Sequence, residues 1–209
     1  MIGVLDLQGG VAEHLEHLRF LGVECCAVKK AEHLSDIAGL IIPGGESTCL
    51  SRLLRIFEMD TAIVNEHKRG MKIWGTCAGA ILLAKTVVGE LPILSLIDIT
   101  IERNGFGSQL DSFTASAVVA GVSNEKIPLV FIRAPKITSV GSGVNVLLKI
   151  DNYIAVAEND DVLATIFHPE LTGDNSFHRY FAHKCGVNFN ESAPTRNTNW
   201  KSTSWMRPV

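Results

Sequence analysis

The chain has 209 residues, 46% hydrophobic and 20% charged, with 19 Lys and Arg against 22 Asp and Glu and a formal net charge of −3. That composition fits one globular domain and excludes a largely disordered chain. It also excludes bulk electrostatic attraction to nucleic acid or to an anionic membrane. No apolar run reaches the ~18 residues of a membrane helix, and the N-terminus MIGVLDLQGG has no basic leader. The five cysteines are odd in number and form no CxxC or metal-ligand spacing. A reduced, cytoplasmic protein without a metal site is expected.

Residues 2–7 (IGVLDL) read as a strand ending at Gly9-Gly10. Val11 to Leu21 follows with Val11, Leu15, Leu18 and Leu21 near helical spacing. Its histidines, His14 and His17, stand beside Glu13 and Glu16 and read as part of a solvated face rather than a metal site. Val23 to Val28 is a second strand, and Gly39 to Ile42 has the fully apolar look of a strand buried on both faces. After Pro43-Gly44-Gly45, Ser47 is the expected N-cap of a helix carrying Leu50, Leu53, Leu54 and Phe57. A further helix spans about 62–68, a strand 71–74, and a helix 78–87.

The second half is richer in strands: 96–103, 129–132, 144–150, 153–157 and 162–167. The last two flank Glu158-Asn159-Asp160-Asp161, a plausible hairpin turn. Ser176 to Cys185 reads as the final helix. The expected architecture is α/β, a doubly wound, mostly parallel sheet with antiparallel additions. One domain over 1–187 precedes a polar tail, 188–209, expected to be disordered.

Three segments carry chemistry. Gly75-Thr76-Cys77-Ala78-Gly79 lies between a strand and a helix, where a nucleophile on a sharp turn needs small neighbours. A lone cysteine is more often a small buried residue; the flanking glycines and this setting favour a nucleophile. His168-Pro169-Glu170 follows a strand; if extended, it projects imidazole and carboxylate to one face, where the acid fixes the imidazole tautomer. The competing reading is a solvated surface turn. Pro43 to Thr48 is a Gly-rich strand-to-helix turn able to present backbone N–H groups to an anion. Without a following Gly-Lys-Ser/Thr it is not a Walker A loop. Arg103 and Arg133, after strands, are candidate cations for a substrate carboxylate. In a doubly wound sheet, strand ends converge on one crevice, so all three segments are expected to meet.

PGGEST, GTCAG and HPE, in that order, resemble a class I (triad-type) glutamine amidotransferase. LDLQGGVAEH, WGTCAGAILLA, RNGFGSQLDSF, VFIRAP and ATIFHPELTGD narrow the resemblance to the PdxT/SNO family, glutaminase subunits of pyridoxal 5′-phosphate synthase, over residues 1 to about 186. The resemblance implies a flavodoxin-like fold and no cofactor. It also implies hydrolysis of L-glutamine by Cys77 as nucleophile with His168 and Glu170. It places glutamine contacts at Gly45, Glu46, Ser47, Arg103, Ile132 and Arg133, and an oxyanion hole at Gly45 and Ala78. The implied partner is a (β/α)8-barrel synthase subunit that receives the ammonia, with Gln8, beside the crevice, as a candidate gating contact. Ser108 stands where a basic residue is frequent in the family. The alternatives are a glutaminase of imidazole glycerol phosphate, anthranilate or GMP synthesis, and a catalytically silent binding relative.

Overall fold

The computed structural model describes residues 1–103 and 112–194. The first half alternates as expected: β1 (Ile2–Leu5), α1 (Val11–Phe20), β2 (Cys25–Val28), β3 (Gly39–Ile42), α2 (Ser47–Ile56), α3 (Met59–Lys68), β4 (Lys72–Thr76) and α4 (Ala78–Leu83). Then come β5 (Ala84–Val87), β6 (Ile97–Glu102), β7 (Phe113–Val119), β8 (Ser123–Phe131), β9 (Lys136–Val140), β10 (Asn145–Ile150), β11 (Tyr153–Glu158), β12 (Val162–Thr165) and α5 (Ser176–Lys184).

Among the described residues the main sheet runs β2-β1-β3-β4-β12-β11-β9-β6-β5, with β10 added on β11. The block β2-β1-β3-β4-β12 is parallel throughout. Within it β1 and β3 are buried on both faces, which is why they are apolar without alternation, while β2 at the edge is half-buried. From β12 through β11, β9 and β6 the pairing is antiparallel, as the hairpin signal led one to expect, with Val156 facing Thr165 across β11 and β12. The edge pair β6 and β5 is parallel again. The connecting turn is built by Asn159, whose Oδ1 accepts the Val162 amide at 2.7 Å and the Asp161 amide at 3.0 Å.

The sheet reverses its winding at β1, with β2 on one side and β3 on the other. Such a switch point opens a crevice beyond the strands' carboxyl ends. The loops after β1, β3, β4 and β12 all leave from that rim.

Four local expectations need correction. The helix expected over 78–87 stops at Leu83, because Ala84 is extended (ψ 140°) and the stretch 84–87 pairs with β6. Ser47 begins α2 but does not cap it; Glu46 does, its carboxylate accepting the Cys49 amide at 2.6 Å. The strands β7 and β9 had no expected counterpart. The chain from Asn188 does not leave the domain at once, either. The Asn190 amide donates to Leu21 O at the end of α1, Arg179 donates to the carbonyls of Glu191 and Ala193, and the Ala193 side chain is buried. Residues 195–209 lie outside the described residues, as does the 104–111 stretch of the RNGFGSQLDSF motif with Ser108.

Candidate active site

Cys77 sits between β4 and α4 with φ 48° and ψ −105°, a backbone conformation that L-residues rarely adopt. The neighbouring β12 pins it there, the Cys77 amide donating to Thr165 O at 2.8 Å. The flanking glycines have a steric reason. A Cβ on Gly79 would lie 2.1 Å from Ile42 O, so only glycine lets α4 press against the end of β3. The sequence signal for a nucleophile elbow thus corresponds to a measurable backbone strain.

His168 follows β12 and is anchored by its amide, which donates to Val130 O at 2.8 Å. The expected extended HPE segment is instead a single 3-10 turn, Pro169–Leu171, with proline in its first turn. The turn still brings acid to imidazole: Glu170 Oε1 lies 2.7 Å from His168 Nδ1. Cys77 meets the imidazole over Gly44, where an added Cβ would lie 2.4 Å from His168 Cε1 and 3.2 Å from Cys77 Cβ. The Cys77 Sγ itself points to the Ile132 carbonyl oxygen at 3.9 Å. Burial disfavours an imidazolium, but the Cys77 sulfur and the Glu170 carboxylate outweigh it and hold His168 well above the usual histidine range. Burial likewise works against the Glu170 charge, yet His168 and His14 keep its carboxyl below the ordinary value. The environments of acid and base are pushed apart in the sense that favours an ion pair.

These groups open into a cavity of about 570 Å³ at the rim of the sheet. Every site residue expected from the sequence lines it: Gln8, Gly45, Glu46, Ser47, Cys77, Ala78, Arg103, Ile132, Arg133, His168 and Glu170. Gly44 lies beneath the imidazole; a Cβ there would come within 2.4 Å of His168 Cε1 and 3.2 Å of Cys77 Cβ. The GES turn is braced from the β1 loop, Gln8 Oε1 accepting the Glu46 amide at 3.2 Å. Arg103 does not stand alone as a cation. Its Nη1 donates to both carboxylate oxygens of Glu90 at 2.7 and 2.9 Å, and its Nη2 to Glu46 Oε1 at 3.3 Å. Arg133, like Cys77, is held at positive φ, 44°.

Sequence reasoning missed two sets of residues. Thr76 Oγ1 accepts the Gly44 amide at 2.9 Å and so ties the glycine turn to the elbow. His14, His17 and His178 are buried, not solvated, and stand directly behind Glu170. For His14 and His17 the helical spacing with Leu18 and Leu21 was the available signal; His178 comes from α5. Among the described residues no group of three or more His, Cys, Asp or Glu side chains is arranged to hold a metal ion, and no helix is long and apolar enough to cross a membrane.

A mostly parallel sheet with a strained cysteine at one strand end and a His–Glu pair at the next is the fold of the glutamine amidotransferases. A solved structure described as a glutamine amidotransferase superposes with a TM-score of 0.84 at 42% identity, covering 89% of this chain and 99% of its own. The chain belongs to the SNO glutamine amidotransferase family, which matches residues 4–187. Among its relatives, the pyridoxal 5′-phosphate synthase subunit PdxT of Syntrophus aciditrophicus is 58% identical over 99% of this chain and 93% of its own length. The protein of the same name from Ruminiclostridium cellulolyticum is 51% identical over 87% of this chain and 97% of its own. Alignment with the former therefore takes in nearly all of the C-terminal tail.

Proposed function

We propose that the chain is the glutaminase subunit of a pyridoxal 5′-phosphate synthase, hydrolysing L-glutamine to L-glutamate and ammonia through Cys77, His168 and Glu170. The observation that carries this reading is the convergence of Cys77, His168 and Glu170 on one cavity with the GES turn and Arg103. There His168 Nδ1 lies 2.7 Å from Glu170 Oε1, and Gly44 packs against both His168 and Cys77.

Glutamine's carboxamide is a weak electrophile with a poor leaving group. Cys77 as thiolate attacks the side-chain carbonyl carbon while His168 holds the proton. The oxyanion that forms is taken up by the backbone N–H groups of Gly45 and Ala78, one such donor being worth about 3–4 kcal/mol. The C–N bond breaks as His168 protonates the leaving nitrogen, giving ammonia and a γ-glutamyl thioester. Water then attacks the thioester, His168 taking its proton, and the C–S bond breaks to release glutamate and restore the thiolate. Glu170 holds the imidazole in one tautomer and stabilises its cation. Glu46, Ser47, Arg103, Ile132 and Arg133 bind the amino-acid end of glutamine. No cofactor takes part in this scheme.

Ammonia released into water is protonated and lost as a nucleophile, so the reaction calls for a (β/α)8-barrel synthase subunit that receives it. Gln8 braces the turn that would form the oxyanion hole, which makes it the candidate through which that partner gates the site. Five free cysteines, among them the adjacent Cys25 and Cys26, fit a reducing cytoplasm.

Ammonia release from glutamine, assayed with and without a synthase subunit, tests the reading. Turnover should depend on Cys77 and rise when the synthase is added. Undiminished ammonia release by Cys77→Ala removes the nucleophile, and equal rates with and without the synthase remove the gating role of Gln8.

A further inference from the structure

Behind the Glu170 carboxylate lies a layer of imidazoles that the scheme above does not use. Glu170 turns Oε1 to His168 Nδ1 at 2.7 Å and Oε2 to His14 Nε2 at 3.4 Å, and the carboxylate and the His14 ring are sealed from solvent. Among the described residues neither Oε2 nor His14 Nε2 makes a hydrogen bond with formal geometry, so two buried polar atoms face each other at 3.4 Å and each has the other as its available partner. His14 Nδ1 in turn lies 2.9 Å from His178 Nε2. The His178 ring stacks flat on His17, centroids 4.2 Å apart and 4° from parallel. His17 is itself fixed, Nδ1 donating to Asn175 Oδ1 at 2.7 Å and Nε2 lying 3.2 Å from the Glu170 carbonyl oxygen.

One arrangement of protons suits this stack. Burial pushes His14 down to about 4, so its ring is neutral near pH 7 and carries a single proton. With that proton on Nδ1, the Nε2 lone pair would point at a buried carboxylate, two acceptors face to face. With the proton on Nε2, His14 donates to Glu170 Oε2, and its Nδ1 accepts from the His178 Nε2–H. A neutral donor also has the right charge for the task. It fixes the carboxylate without cancelling the negative charge that His168 needs when it becomes a cation.

We propose that His14 is a positioning residue for the glutaminase reaction: its Nε2–H holds Glu170 by the oxygen turned away from His168, and His178 sets the His14 tautomer that does so. The inference rests on Cys77, His168 and Glu170 being the triad. A glutamate has three side-chain torsions, and one held by a single oxygen can pivot away from its imidazole. Held by both, it cannot. The titratable groups around Glu170 are His168 and, through it, Cys77 from the strand ends, His14 and His17 from α1, and His178 from α5 behind His14.

The test is glutamine hydrolysis by the chain together with its synthase subunit, and the pH profile of Cys77 alkylation by iodoacetamide. In His14→Leu, kcat should fall about 10- to 100-fold, the scale of a misplaced catalytic group, with KM for glutamine nearly unchanged. The alkaline limb of the alkylation profile, which reports loss of the His168 proton, should move to lower pH as its counter-charge loosens. His14→Gln places an amide N–H near the same oxygen and should restore most of kcat. His178→Phe keeps a flat ring on His17 and should give a smaller loss in the same direction. A folded His14→Leu with wild-type kcat and pH limb overturns the proposal, as does a loss confined to KM or one that His14→Gln leaves unrepaired. Should His14→Leu not fold, 15N NMR of the wild-type histidines decides: a neutral Nε2–H tautomer at His14 supports the proposal, and an Nδ1–H tautomer or an imidazolium near pH 7 overturns it. A Cys77→Ala control separates the two layers. Ammonia release by Cys77→Ala removes the triad itself, whereas an inactive Cys77→Ala beside an unaffected His14→Leu removes only the role of His14.

Discussion

The Thr76 hydroxyl accepts the Gly44 amide at 2.9 Å, joining the residue before the thiol to the turn that lies under the imidazole. Two loops far apart in the chain are thereby held in one register, and the bond is fully buried. Thr76→Val keeps the shape and removes the acceptor, leaving the Gly44 N–H buried without it. Stability should drop by about 1–3 kcal/mol, read by denaturant titration, and kcat should fall more than KM rises.

Cys77 stores strain that glycine would not. At φ 48° and ψ −105° an L-residue costs about 1–3 kcal/mol relative to an unstrained backbone. Comparing two inactive variants isolates that cost from the chemistry. Cys77→Gly should be more stable than Cys77→Ala by about 1 kcal/mol, although glycine elsewhere loosens a chain. Thermal melts of the two side by side measure it, and the reverse order would show the elbow to be relaxed.

Stability near the site should pass through a maximum close to the ordinary histidine pKa. His14, lowered to about 4 by burial, has a folded value below its unfolded one, so its contribution is complete above about 6.5 and is lost as pH falls toward 4. A drop of that size is worth at most about 3 kcal/mol. His168 is raised, so its contribution is complete below about 6.5 and is lost as pH rises through the folded value. Glu170 is lowered, and its share disappears only below the usual glutamate range, as pH falls through the folded value. Melting temperature against pH should show the acid-side slope, and His14→Gln, which cannot take up a proton, should flatten it between about 6.5 and 4.

Arg103 bridges Glu46 and Glu90 at the rim of the cavity, three-quarters hidden from solvent. If it orients glutamine's amino-acid end through Glu46, its loss should act on binding. Arg103→Ala should raise KM for glutamine about tenfold with kcat little changed, the signature of lost uniform binding. Stability should move by less than about 1 kcal/mol, because ion pairs this close to water contribute little.

How much of this was legible in the sequence depended on what signalled it. The apolar runs 2–5 and 39–42 and the glycines about Cys77 announced buried parallel strands and an elbow, because sterics leave few other uses for such patterns. The β7 strand was missed because Ala115, Ser116 and Ala117 carry weak strand preference and pair only with β8, in a separate two-stranded sheet. The end of α4 was missed because its apolar residues continue without a break into β5, where Thr86 and Val87 favour extension.

The histidines of α1 were misread for a different reason. Glu13 and Glu16 are exposed as expected, but His14 and His17 fall on the same stripe as Leu15, Leu18 and Leu21 and are buried with them. Periodicity placed them in the core while residue type argued for water. Periodicity was right, because α5 supplies His178 and Asn175 as partners that no local window of sequence contains.

That contact also sets an order of assembly during synthesis. His14 and His178 stand 164 residues apart, so a ribosome displays the whole elbow long before α5 emerges to complete the support under Glu170. A nascent chain still lacking α5 carries its thiol on an unfinished scaffold, with His14 not yet met by its partner from the last helix.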